Sequence, residues 1–200
     1  MHGQTVVINT IVTRSGAKVD LITTRGSRDI LEIGRANRRD LFNLKYRKPE
    51  PFVPRYLRLE VRERILYDGR ILTPINEDDV RNAINELINH GVESIVIGFI
   101  NSYVNPEHEI KAAKIIEEEL RKLGRDIPIT LSHEITREWR EYERFNTAVL
   151  NAYVLPRVKK YIEVLEQTFK DMGFKGTFYM MLSNAGMATA PYVKTSNIYS

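Results

Sequence analysis

Between residues 76 and 182 the sequence switches three times from a helical apolar period to a short apolar run. This restricts the chain to a largely parallel sheet covered by helices. Asn76, followed by Glu77, Asp78 and Asp79, predicts a capped helix start with an acidic first turn. Val80, Ile84, Leu87 and Ile88 then share one helical face, and Gly91 supplies a stop. Residues 94–100 are continuously apolar and rich in β-branched side chains, the pattern of a buried strand. The next helix starts at Asn105-Pro106-Glu107, buries Ala112, Ala113, Ile116 and Leu120, and ends at Gly124. A short strand is expected over 127–131. Two helices follow in this reading, one carrying Trp139, Tyr142, Phe145, Val149 and Ala152, and one beginning near Pro156 with Val158, Ile162, Leu165, Phe169 and Met172. A last strand, 177–182, leads into 183–186. Ligands in such sheets bind beyond the carboxyl ends of strands, which marks 183–186 as a candidate site.

The first half is less regular. Residues 5–9 and 19–24 predict strands, with a helical stretch near 11–15. A polar loop with a short helix is expected over 25–48. Residues 53–61 alternate as a strand would, and Tyr67-Asp68-Gly69-Arg70 is the turn of a hairpin. The stretch 29–74 reads as a basic excursion beside the main sheet. From Arg25 to Arg70 thirteen Lys/Arg face seven Asp/Glu, a local charge of +6 in a chain of net +4. Such a segment suits phosphates, anionic substrates or an acidic partner face, or is a solvated surface.

Several chemistries are excluded. Without cysteine the chain has no disulfide, no thiolate metal ligand and no thiol nucleophile. No apolar run is long enough for a membrane span and no signal peptide is visible, so a cytoplasmic protein is expected. Neither the P-loop nor the dinucleotide glycine pattern occurs. His90 and His108 fall at helix ends, where capping is the ordinary role. His2 and His133 lie near strand ends and are the better site candidates, without the spacing of a metal site. Glu134 and Glu143 are candidate catalytic carboxylates, acting as a general base or through Mg²⁺. Helical ion pairs with Arg137, Arg140 and Arg144 are the structural alternative. Arg25, Arg28, Arg35 and Arg38, with Asn37, crowd one polar loop suited to holding anions. Phe42, Tyr46, Phe52 and Tyr56 lie nearby, but acidic residues interrupt the patch and no nucleic-acid motif accompanies it, so no nucleic-acid partner is expected.

His2-Gly3-Gln4-Thr5, Asn9, Gly16-Ala17-Lys18 and the run Leu21-Ile22-Thr23-Thr24-Arg25-Gly26 form an ordered series. It continues through Asp29-Ile30-Leu31-Glu32-Ile33-Gly34-Arg35, Tyr46-Arg47-Lys48-Pro49, Ser132-His133-Glu134, Glu141-Tyr142-Glu143-Arg144 and Ser183-Asn184. The series resembles the first part of the hydantoinase A / 5-oxoprolinase / acetone carboxylase β-subunit family. Gln4 and Ala185 depart from that family's usual threonine and glycine, and the likeness fades after Ala188. The resemblance implies a partial actin-like (hexokinase/Hsp70-type) ATPase lobe over 1–186, with a divergent tail over 187–200. It implies an ATP-dependent cyclic-amide hydrolase that activates a carbonyl by phosphorylation, or an acetone-carboxylase-type subunit, or a non-catalytic remnant domain that binds a partner. Carried over by position, it implies that Thr5, Asn9, Arg28 and Arg35 face substrate and that Asn184 and Gly186 lie near the phosphates. ATP and Mg²⁺ belong to the full-length parent, with no tight binding expected of this chain alone, which is expected to be an inactive fragment. The implied partners are the remaining lobe of the same subunit, a hydantoinase B-type subunit, a small cyclic-amide or ketone substrate, and, in a homo-oligomer, a second copy of the chain.

Overall fold

The computed structural model describes residues 5–37, 40–181 and 186–189. Two units are distinguished, one of residues 18–149 and one combining 1–17 with 150–200.

The larger unit is built on four parallel strands in the order β2-β1-β5-β6: β1 (Leu21–Thr24), β2 (Arg58–Val61), β5 (Ile95–Gly98) and β6 (Ile129–Leu131). All four residues of β1 and of β5 are buried, as the continuous apolar runs require of inner strands of a parallel sheet. Between β2 and β5 lie a short antiparallel hairpin, β3 (Arg64–Ile65) with β4 (Ile71–Thr73), and helix α3 (Glu77–Asn89). Asn76 caps α3 through its side chain, which accepts from Asp79 N at 2.9 Å. Helix α4 (Glu107–Lys122) connects β5 to β6, and α3 packs on α4 and on β2. Val80, Ile84 and Leu87 of α3, with Ala112, Ile116 and Leu120 of α4, are buried with the strand side chains. Burying each such isoleucine or leucine contributes roughly 1.5–3 kcal/mol.

The smaller unit contains α1 (Val6–Val12), the part of α6 (Glu141–Asp171) from Leu150 onward and a hairpin of β7 (Tyr179–Met181) with β8 (Met187–Thr189). Gly16 is obligatory there. A Cβ on it would lie 2.4 Å from the Tyr153 ring and 2.5 Å from the Tyr153 carbonyl oxygen, which itself accepts from Ala17 N at 2.9 Å.

The alternation over 76–131 is found as expected, as are the short helix α2 (Ile30–Ile33) and the 64–73 hairpin. Five local expectations are corrected. Residues 6–9 are helical, because Val7 and Thr10, three apart, are the buried positions and Thr10 Oγ1 returns to the Val6 carbonyl at 2.7 Å. Here packing overrides β-branched preference. Pro156 does not begin a new helix. It sits inside the 31-residue α6, at the cost of one backbone hydrogen bond, flanked by buried Ala152, Leu155, Val158 and Ile162. Trp139 precedes α6 and is exposed. β7 does not extend the parallel sheet: only Met180 of its three residues is buried, so it alternates as a one-sided antiparallel strand. Residues 55–57 form a 3₁₀ turn before β2, and that strand joins the main sheet, so the segment 29–74 is not wholly an excursion beside it.

Candidate active site

At the carboxyl ends of the parallel strands the buried side chains turn from apolar to polar. β5 leads into Phe99, Ile100 and Asn101; β6 runs directly into α5 (Ser132–Ile135). The Glu109 carboxylate, fully buried in the first turn of α4, collects four hydrogen bonds. Its Oε1 accepts from Phe99 N at 3.0 Å and from Ser132 Oγ at 2.6 Å. Its Oε2 accepts from His133 N at 3.2 Å and lies 2.6 Å from His133 Nδ1. Arg144, on the first turn of α6 and also fully buried, donates to Ser132 Oγ (3.1 Å), the Phe99 carbonyl (2.8 Å) and the Glu138 carbonyl (2.8 Å). Its guanidinium also lies over the rings of Tyr103 and Phe145. Burial pulls the Arg144 pKa below the ordinary arginine value, and the charges of Glu109 and Glu141 oppose that pull.

A second carboxylate–imidazole pair stands beside the first. Glu63 Oε2 lies 2.7 Å from His108 Nδ1, both groups being buried, and Glu63 Oε1 accepts a short hydrogen bond from Thr24 Oγ1. Thr24 Oγ1 accepts in turn from Ile100 N at 2.9 Å. Thus the end of β1, the second residue after β2, the turn after β5 and the start of α4 are joined through side chains. Asn101, in the left-handed region at φ 61°, donates to the Ile65 carbonyl at 2.8 Å and ties the hairpin to this crevice. A carboxylate on Nδ1 holds each ring with its proton on that nitrogen, so Nε2 carries the lone pair of the neutral ring and can accept a proton.

The expected site residues are dispersed. Glu134 is exposed on α5. Glu143 forms a short ion pair with Arg35. Burial raises the Glu143 pKa, but the Arg35 hydrogen bond and the charges of Arg35 and Arg140 outweigh this and leave it lowered, which disfavours a general base. Arg35 lines a surface pocket of about 300 Å³ with Gly34, Asn37, Tyr46, Lys48 and Tyr142. Arg28 instead donates to the Arg55 carbonyl at 3.1 and 3.2 Å. Thr5 and Asn9, in the smaller unit, are exposed and hydrogen-bonded to each other at 3.4 Å. Gly186 immediately precedes β8; Asn184 and His2 lie outside the described residues. His108, expected as a helix cap, is buried against Glu63 because its ring faces the sheet end.

Glu109, Glu63 and Thr24 escaped the sequence reading, yet two carried a signal. Glu109 occupies the apolar stripe of α4, three, four, seven and eleven residues before Ala112, Ala113, Ile116 and Leu120. Glu63 continues the inward series Leu57, Leu59, Val61, all buried. A carboxylate on a buried face requires partners.

The model of the hydantoinase/oxoprolinase N-terminal region matches residues 1–120, and that of hydantoinase/oxoprolinase matches 144–200. The chain belongs to the hydantoinase/oxoprolinase family. An uncharacterized protein of Methanocaldococcus jannaschii is 41% identical over 175 residues, which are 88% of this chain and 25% of that protein. The acetone carboxylase beta subunit of Xanthobacter autotrophicus is 33% identical, over 93% of this chain and 27% of its own length. Among solved structures, the ATP-dependent caprolactamase from Pseudomonas jessenii superposes with a TM-score of 0.86 at 31% identity, covering 98% of this chain and 29% of that one. The chain therefore spans about a quarter of the length of the curated relatives it matches. The family likeness extends past residue 188, where the sequence alone suggested that it fades.

Proposed function

We propose that this chain forms part of a subunit that activates the carbonyl of a cyclic amide by ATP-dependent phosphorylation and works with a second, hydantoinase B-type subunit. The supporting observation is the likeness in fold, over nearly the whole chain, to an ATP-dependent caprolactamase. In this proposal ATP and Mg²⁺ are bound largely by other parts of the subunit. The carbonyl oxygen attacks the terminal phosphorus of ATP and ADP leaves. Water adds to the activated carbon, the ring nitrogen departs with a proton to leave an acyl phosphate, and a second water attacks the acyl carbon, so that the C–O bond breaks and phosphate leaves with the original carbonyl oxygen. His133, oriented by Glu109, is the group of this crevice suited to carry the proton that the departing nitrogen needs.

The test is ATP turnover by the long polypeptide carrying this sequence together with its partner subunit. Lactams and hydantoins are expected to stimulate turnover. His133→Asn, whose amide nitrogen takes the place of Nδ1 and keeps a donor to Glu109 but cannot relay a proton, is expected to lower kcat on the order of 100-fold while ATP binding persists. Stimulation by a ketone with bicarbonate, and not by cyclic amides, would favour the carboxylase reading, to which the 33% identity with the acetone carboxylase beta subunit lends weight. No stimulation by either class would refute the proposal.

A further inference from the structure

The Glu63–His108 pair has no part in the reaction proposed above, yet both groups are buried at the sheet end where the Glu109–His133 pair stands. Apolar side chains of the same volume would serve stability there as well as a carboxylate and an imidazole do, so packing alone leaves the pair unexplained. Its connections explain it. His108 and Glu109 are consecutive in the first turn of α4, where neighbouring side chains project about 100° apart. His108 reaches Glu63, beyond β2, while Glu109 reaches Ser132 and His133, beyond β6. Phe99 and Ile100, consecutive after β5, divide in the same way. Phe99 N donates to Glu109 Oε1 at 3.0 Å, and Ile100 N donates at 2.9 Å to Thr24 Oγ1, which donates in turn to Glu63.

These bonds close a circuit. It runs from Glu63 to His108, along the chain to Glu109, across to Phe99 N, along the chain to Ile100 N, and through Thr24 back to Glu63. Thr24, Glu63, His108 and Glu109 are all buried. Such a circuit leaves the first turn of α4 little freedom to rotate about its axis. Rotation there would swing Glu109 Oε2 away from His133 Nδ1, which lies 2.6 Å from it. Displacements of about 1 Å in a group that orients a proton carrier can cost on the order of 100-fold in rate.

We infer that Glu63, His108 and Thr24 are positioning residues, which act through Glu109 to hold the His133 ring. This rests on the proton-carrying role given to His133 above. The test measures turnover of a cyclic amide and ATP by the long polypeptide with its partner subunit. Thr24→Val, His108→Leu and His108→Asn are made singly and together with His133→Asn. Thr24→Val opens the circuit by removing one hydroxyl, and it carries the test if His108→Leu fails to fold. Thr24→Val and His108→Leu are expected to lower kcat at least about tenfold, with KM for the amide held within about twofold. His108→Asn, whose amide nitrogen takes the place of Nδ1 and keeps the donor to Glu63, is expected to recover most of that loss. Added to His133→Asn, none of the three should lower kcat further, because the group they position has gone. A slow His133→Asn beside an unimpaired Thr24→Val and His108→Leu would overturn the positioning role alone. So would a further loss of the same size in the His133→Asn background, or a His108→Asn as slow as His108→Leu, which would make His108 a proton carrier itself. An unimpaired His133→Asn would overturn the role of His133, and this inference with it.

Discussion

Replacing Arg144 by leucine is expected to destabilise the chain by about 3–5 kcal/mol, the range for removing one partner of a buried charged network. Its three donors satisfy Ser132 and the carbonyls of Phe99 and Glu138, and its charge stabilises the buried Glu109 carboxylate. Leucine fills part of the volume and none of those valences, leaving a buried anion with hydrogen bonds but no cation. Denaturant unfolding checks the figure. Arg35→Ala, which removes an exposed partner of Glu143, should cost less than about 1 kcal/mol in the same assay. If Glu109→Gln is added to Arg144→Leu, the double loss should fall short of the sum of the single losses, because the uncompensated anion has gone.

Asp20→Asn is expected to stabilise the chain increasingly as pH rises. Asp20 precedes β1 and is fully buried. Its Oδ1 accepts from Val96 N at 2.9 Å, while Oδ2 and the neighbouring Ser94 hydroxyl have no hydrogen-bond partner. Burial raises its pKa well above the ordinary aspartate value, outweighing the Val96 hydrogen bond. The folded chain therefore binds this proton more tightly than the unfolded chain does. Stability from it is complete below about pH 4, near the unfolded pKa, and is lost as pH climbs toward the folded value, at about 1.4 kcal/mol per pH unit within that window. Asparagine cannot ionise. Thermal unfolding of parent and variant should nearly coincide at the acid end and diverge above it, with the variant more stable.

How far the sequence revealed this arrangement depended on what each residue's neighbours are. The sheet-and-helix alternation over 76–131 was legible because burial there follows period 3.6 or a continuous apolar run, both local properties. The helix over 6–12 was not, because Val6, Val7 and Ile8 prefer strands in isolation and only packing of Val7 and Thr10 decides otherwise. Pro156 misled for the same reason: its local cost is real, but the buried residues on either side carry the helix through. In the site, His133 stood out by its place after β6. Its partner Glu109 lies 24 residues earlier, and only the buried face it occupies on α4 announces it. The Glu63–His108 pair spans 45 residues, a pairing that no local pattern encodes.

The most direct test of carbonyl activation follows the oxygen. The long polypeptide carrying this sequence, with its partner subunit and ATP, is given a cyclic amide whose carbonyl oxygen is ¹⁸O, and the phosphate and the ring-opened product are analysed by mass spectrometry. Phosphorylation of the carbonyl, with phosphate then released by attack of water at carbon, predicts that the label appears in inorganic phosphate in step with ring opening; label retained wholly in the product carboxylate, with unlabelled phosphate, would contradict it.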